Sequence, residues 1–500
     1  MIQPSYREFA ALAKRGNVVP VYEETLMDFE TPVSFYNRLR KSRHSFLLES
    51  VEGSERWARY SFLGTEPELV FKAWGREVEV TEGRRKKKWT CDDPLKALTE
   101  LLGEYRPANT IPDLPFTGGA LGYVAYDAVE RLHGVANPDQ SANRYPDVYF
   151  LLVRTLVSFD NLKHTITIID NVHIDTNKSL RVLYGEAVAR IERVRSSLRK
   201  SPEALEARSL TGTGNNVKYR SNVTPHTFRA MVRQGKEYIA AGDVIQVVLS
   251  QRLEAKTRAE PLEIYRALRF TNPSPYMFYL ELDDLKIIGS SPEILVRLTG
   301  SRIELRPIAG TRPRGKDARE ERELEEDLLA DPKERAEHIM LVDLGRNDVG
   351  RVAEVGSVEV DQLMVVERYS HVMHIVSNIK AELARGKTPL ELFGSCFPAG
   401  TVSGAPKIRA MQIISELEPE RRGLYAGAVG YLSFNGNLDT CIAIRTITLH
   451  NGTAVIQAGA GIVADSNPDT EYEETLNKAR GMLKAIELAE SWRKERQQTA

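Results

Sequence analysis

The stretch AGAVGYLSFNGNLDTCIAIRTITLHNGTAVIQAGAGIVADSNPDTEYEETLNKA (residues 426–479) decides the fold. AGAVGYLSF, DTCIAIRTITL and TAVIQAGAGIV read as strands, and the turn in ADSNPD opens a helix. Upstream, IIGSSPEILVRL and IELRPIAG add strands. VIQVVLSQR (Val244–Arg252) is another, whose two-residue alternation puts Gln246 and Val248 on one face. Thr227–Ala241 carries Phe228, Met231, Val232, Tyr238 and Ile239 at helical spacing, and Gly242-Asp243 stops it. Hairpins beside long helices predict an α+β fold with antiparallel sheet rather than strict βαβ alternation. No fixed-period repeat is visible.

Further out, residues 20–198 read as β-rich, with SFLLESV, YSFLG, LVFKAW, VEVTE, KWTC and HTITIID as short strands. Residues 199–223 turn polar and small and read as a linker or excursion. Residues 224–485 form the second part. A chain of 500 residues exceeds one ordinary core. Its net charge of -1 supplies no global field for nucleic acid or an anionic membrane. Three separated cysteines, Cys91, Cys396 and Cys441, form no CxxC and fit a reducing compartment. No apolar run approaches the roughly 18 to 20 residues of a membrane span. A soluble, cytoplasmic protein is expected.

Two acidic pairs bracket the glycine-rich strands: Glu334 and Glu337 in KERAEHIML, and Glu471 and Glu474 in EYEETLNKA. On a helix, three-residue spacing sets both carboxylates on one face, within reach of one hard cation. An acidic pair on a solvated face, or one favoured by a helix dipole, is the plainer reading of each pair alone. GTVSGAPK (Gly400–Lys407) offers backbone N–H groups, a hydroxyl and a lysine, a turn able to cradle an anion, although it is not a P-loop. His371 and His374 stand three apart without a third ligand in zinc spacing, so a hydrogen bond to substrate or simple packing is the better reading. The charge-dense segment Arg314–His338 reads as solvated helix, and GRRKKKW (Gly83–Trp89) as an exposed hairpin. No G-x-S-x-G elbow or cysteine nucleophile turn is present.

Four long strings, AEHIMLVDLGRNDVGRV, PAGTVSGAPKIRAMQII, DTCIAIRT and QAGAGIVADSNPDTEYEETLNKA, resemble the signature of the chorismate-utilising enzymes, strongly over residues 224–485. That family includes anthranilate synthase component I, aminodeoxychorismate synthase component I, isochorismate synthases and salicylate synthases. Gln246 stands where the water-adding members carry a lysine base, and glutamine cannot serve as that base. Ala309 stands where aminodeoxychorismate synthases typically carry a lysine nucleophile. LLES (Leu47–Ser50) and NPSPYMFY (Asn272–Tyr279) look like a tryptophan-feedback pocket. These features resemble the anthranilate synthase branch, with aminodeoxychorismate synthase component I as the alternative.

The resemblance implies a two-part α/β sandwich of large antiparallel sheets with outer helices and a cleft between the halves. It implies Mg²⁺ on Glu334, Glu337, Glu471 and Glu474, with catalytic roles for His374, Glu293 and Thr401. Thr311, Tyr425, Arg445, Gly459, Gly461 and Lys478 would bind chorismate. Glu49, Ser50, Pro275, Tyr276, Met277, Val429, Tyr431, Asp439 and Cys441 would form the tryptophan pocket. A glutamine amidotransferase subunit would supply ammonia, in a heterotetramer of two large and two small subunits.

Overall fold

The computed structural model describes residues 1–40, 42–51, 59–138, 145–198, 217–369 and 372–499. His371 and residues 199–216 of the anticipated linker lie outside the described residues.

Among the described residues the strands form two 12-stranded sheets. In the first, strands from before and after the 199–223 segment meet where His44–Glu49 pairs antiparallel with Tyr276–Leu282, Glu49 opposite Met277. In the second they meet where Gly119–Val124 pairs antiparallel with Ala428–Ser433. Both parts of the chain therefore share both sheets, so LLES and NPSPY touch. Tyr219–Ser221, inside the segment expected as a linker, pairs instead with Gln246–Lys256 at the end of the first sheet.

The sheets stack because their strands are apolar on both faces. In Val148–Val153, Val148, Phe150 and Leu152 enter the core on the outer side of the second sheet. Tyr149, Leu151 and Val153 enter the core between the sheets, with Phe46, Phe278 and Leu280 from the first. Met277 and Tyr279 point the opposite way from Phe278, into a third core. Helices Leu180–Leu198, Pro261–Thr271 and Pro468–Thr499 cover that core. Leu180–Leu198 and Pro94–Gly103 show that residues 20–198 hold more helix than their β-rich reading suggests. The basic segment lies on the edge strand Arg85–Thr90, in a hairpin turned by Gly83 at φ 56°, as expected for an edge kept from pairing by lysines.

Three helices matter for the site. Pro225–Ala240 starts at a Thr224 cap and ends before Gly242, at φ 83°. Pro332–Gly350 starts at Asp331, whose carboxylate accepts from the N–H groups of Lys333 and Glu334. Pro468–Thr499 starts after Asn467, whose side chain accepts from Asp469 N at 2.9 Å. No described helix is long and apolar enough to cross a membrane.

Candidate active site

The two acidic pairs occupy the starts of the second and third of these helices, where the dipole favours carboxylates. Burial, then the like charges of Glu337 and Asp331, push the Glu334 carboxyl up. Burial likewise pushes up Glu471, with Glu474 adding to it and Ser466 and Lys333 opposing. Because Lys333, beside the first pair, acts on Glu471, the two helix starts face one another.

Gln246 joins this acidic end to the first sheet. Its Nε2 donates to Glu337 Oε1 at 2.9 Å. The approach needs Gly461, where a Cβ would stand 2.7 Å from the same Nε2. Two residues back on the same face, a Cβ at Gly459 would stand 2.6 Å from Tyr425 Oη and 2.9 Å from the Leu249 carbonyl. Lys478 donates to the Gly459 carbonyl at 3.0 Å and pairs with Glu474 at 2.6 Å. Burial raises the Tyr425 hydroxyl to about 12, against the nearby Arg422 guanidinium, so it remains a hydrogen-bond donor.

The second sheet supplies the opposite wall. His374 and Thr311 lie opposite each other on neighbouring strands. His374 Nδ1 stands 2.8 Å from the Gly310 carbonyl and 3.1 Å from Thr311 Oγ1. Donation from Nδ1 to the carbonyl leaves Nε2 as the lone-pair nitrogen. Burial lowers the ring's proton affinity, and Arg445 lowers it further. Arg445 holds a left-handed backbone, φ 47°, with its carbonyl accepting from Ser290 N at 3.1 Å. Such a conformation in a non-glycine residue marks a position fixed by its surroundings. Burial raises the Glu293 carboxyl to about 8, although Thr401, Lys478 and Arg445 all favour its charged form.

The structure thus gathers Glu293, Thr401, Lys478, Arg445 and His374, with Thr311 beside the histidine and Tyr425, Gly459 and Glu474 beside the lysine. GTVSGAPK, in contrast, does not offer its lysine to an anion. Lys407 is buried, and its ammonium pairs with Asp348 at 2.6 Å and donates to the Cys396 carbonyl at 3.0 Å. The acidic quartet does not close into one cage either. Among the described residues no three His, Cys, Asp or Glu side chains stand together as ready metal ligands. The donor set still suits Mg²⁺, which takes oxygen ligands, keeps waters and is completed by an anionic substrate. Glu334 and Glu471 are partly desolvated carboxylates repelled by their acidic neighbours, with Arg312 pulling on Glu334 and Lys333 and Lys478 on Glu471, and a cation would relieve that repulsion.

All nine residues anticipated for the feedback pocket line one cavity of about 790 Å³ between the sheets. Tyr276 Oη donates to Asp439 at 2.9 Å, Arg297 pairs with the same carboxylate at 2.8 Å, and Ser50 Oγ donates to the Pro275 carbonyl at 2.8 Å. Sequence reasoning passed over Glu367 and Tyr369, which flank His374; only their two-residue offset along VERY hints at a shared face.

The model of a chorismate binding enzyme family matches residues 32–484. Anthranilate synthase component 1 of Acetivibrio thermocellus is 46% identical over 499 residues, 98% of this chain and 99% of that protein. The same-named protein of Aquifex aeolicus is 48% identical over 498 residues, 98% of this chain and 99% of its own length. The crystal structure of anthranilate synthase component I from Streptococcus pneumoniae TIGR4 superimposes with a TM-score of 0.76 at 38% identity, covering 92% of this chain and 99% of that one. A match over most of the chain, with relatives of this similarity, shows that the protein belongs to the chorismate binding enzyme family.

Proposed function

We propose that the protein is the large subunit of an anthranilate synthase, converting chorismate and ammonia to anthranilate and pyruvate in tryptophan biosynthesis. The observation that carries this reading is the cluster in which an elevated carboxyl, Glu293, lies beside two cations, Lys478 and Arg445, opposite a histidine with Nε2 available. Full-length similarity to proteins named anthranilate synthase component 1 supports the choice of branch.

Arg445 and Tyr425 bind the enolpyruvyl carboxylate through charge-assisted and neutral hydrogen bonds. Glu293, protonated at neutral pH, delivers its proton to the C4 hydroxyl, which departs as water while ammonia adds at C2. In the second stage His374 Nε2 takes the C2 proton as the enolpyruvyl group leaves as pyruvate, and the ring becomes aromatic. Thr311 and Thr401 line the two ends of this path. Gln246 carries no basic nitrogen, so no base stands there for water addition. Ala309 cannot form the covalent amine adduct expected of an aminodeoxychorismate synthase. Glu334, Glu337, Glu471 and Glu474 are the residues that would hold Mg²⁺, which when bound neutralises and orients the ring carboxylate.

Ammonia would come from a separate glutaminase subunit, in a heterotetramer. Tryptophan would act from the cavity between the sheets. Identification of the product by mass after incubation with chorismate, Mg²⁺ and ammonium tests the reading: anthranilate supports it, and isochorismate or aminodeoxychorismate refutes it.

A further inference from the structure

The cavity between the sheets runs past the residues of the anticipated feedback pocket. It continues along Arg306 and Glu367 to Tyr369. Of these, Tyr369 and Glu367 also flank His374, and Arg306 holds Glu367. The Tyr369 ring meets the imidazole edge-on, with centroids 5.6 Å apart and planes at 63°. Tyr369 Oη donates to Glu367 Oε2 at 3.0 Å, and Glu367 forms an ion pair with Arg306. Glu367 lies directly opposite His374 on the paired strand.

The hydrogen bond from His374 Nδ1 to Gly310 fixes one edge of the ring but leaves rotation about that bond. The Tyr369 ring packs against the imidazole edge-on, where it restricts that rotation and with it the direction of Nε2. Among the charged groups acting on the ring, Glu367 raises its proton affinity and Arg445 lowers it. Tyr369 is itself held at both ends: Arg314 donates to its carbonyl at 2.7 Å, and Glu367 accepts from its hydroxyl.

We propose that Glu367 and Tyr369 are positioning residues for His374, and that a ligand filling the cavity weakens their hold on it. This rests on the reading of His374 as the proton acceptor. It supplies a short route from effector to chemistry, because one wall faces both. An effector acts only through a difference in affinity between two arrangements, and a Tyr369 side chain that faces both effector and histidine provides that difference.

The test uses full-length protein with ¹⁵N-labelled histidine, the His374 ring signals being assigned with His374→Asn. Glu367→Gln is expected to lower the midpoint of the His374 titration and to move the acid limb of kcat with it, leaving KM for chorismate unchanged. Tyr369→Leu is expected to lower kcat roughly tenfold, a fraction of what a misplaced catalytic group can lose. Tyr369→Phe, which keeps the ring, should restore most of it; with the isosteric Glu367→Gln it also serves if Tyr369→Leu fails to fold. L-Tryptophan, as the probe, should shift the His374 signals in the unaltered protein and not in Tyr369→Leu.

Unchanged titration and kcat profile in Glu367→Gln and Tyr369→Leu would overturn the positioning role. Tryptophan shifts that persist in Tyr369→Leu, or that are missing from the unaltered protein, would overturn the coupling. Undiminished turnover by His374→Asn would instead defeat the reading of the histidine, while the ring signals still report the contact.

Discussion

Gln246 reaches across 2.9 Å to Glu337 and so fastens the end of the first sheet to the helix that carries the first acidic pair. Its amide N–H fixes the carboxylate's orientation without neutralising it, leaving Glu337 fit to bind a cation. Side chains that orient a ligand in this way typically contribute 10- to 100-fold in metal affinity. Gln246→Ala should therefore raise the Mg²⁺ concentration for half-maximal turnover by about that factor, measured by titrating Mg²⁺ into chelator-treated enzyme. An unchanged requirement would remove Glu337 from the metal site.

The pH profile should be bell-shaped, with each limb belonging to a named group. Burial raises Glu293 to about 8, so the proton donor is present below that pH and lost above it. The lowered proton affinity of His374 keeps the ring neutral down to a pH below its ordinary range. The alkaline limb of kcat/KM should thus fall near 8 and vanish in Glu293→Gln, whose residual rate should be at least about 100-fold lower. An alkaline limb that survives in that variant would assign it to another group.

The Lys407–Asp348 pair should matter for stability rather than catalysis. Both side chains are buried, and Asp348 is already pushed up by burial against the pull of Lys407. Lys407→Met leaves that carboxylate without its counter-charge, a change that costs about 3–5 kcal/mol. Urea unfolding followed by circular dichroism should show this loss, greatest where Asp348 is ionised. A loss below about 1 kcal/mol would mean that the pair contributes little.

In the cavity wall, Ser50 bonds across to Pro275 from just past the strand His44–Glu49, which pairs with Tyr276–Leu282. Ser50→Phe would fill part of the cavity without replacing Glu293 or His374. Tryptophan inhibition should weaken by more than tenfold while uninhibited kcat stays within about twofold. Tryptophan that inhibits the variant as strongly as the unaltered enzyme would place its binding elsewhere.

The second half of the chain was legible because its periodicities are clean. Helix Pro225–Ala240 and strand Gln246–Lys256 fall where their spacing predicts, and both acidic pairs lie on helices. Long-range partnership was not legible. Nothing local in GTVSGAPK says that Lys407 turns inward to Asp348, 59 residues earlier, and so is lost to any anion. Pairing of LLES with the strand after NPSP, across more than 200 residues, came from resemblance and not from pattern. Helix Leu180–Leu198 escaped notice because its buried stripe is only Leu183, Ala187 and Ile191. Glu367 and Tyr369 escaped because an alternating strand pattern names a face, not the residue across from it.

Anthranilate fluorescence tests the central claim most directly. The purified chain, with chorismate, Mg²⁺ and ammonium at a pH no higher than about 8, where Glu293 still keeps its proton, should produce the anthranilate signal, and added tryptophan should suppress it. Chorismate consumed without anthranilate, or left intact under these conditions, would contradict the account.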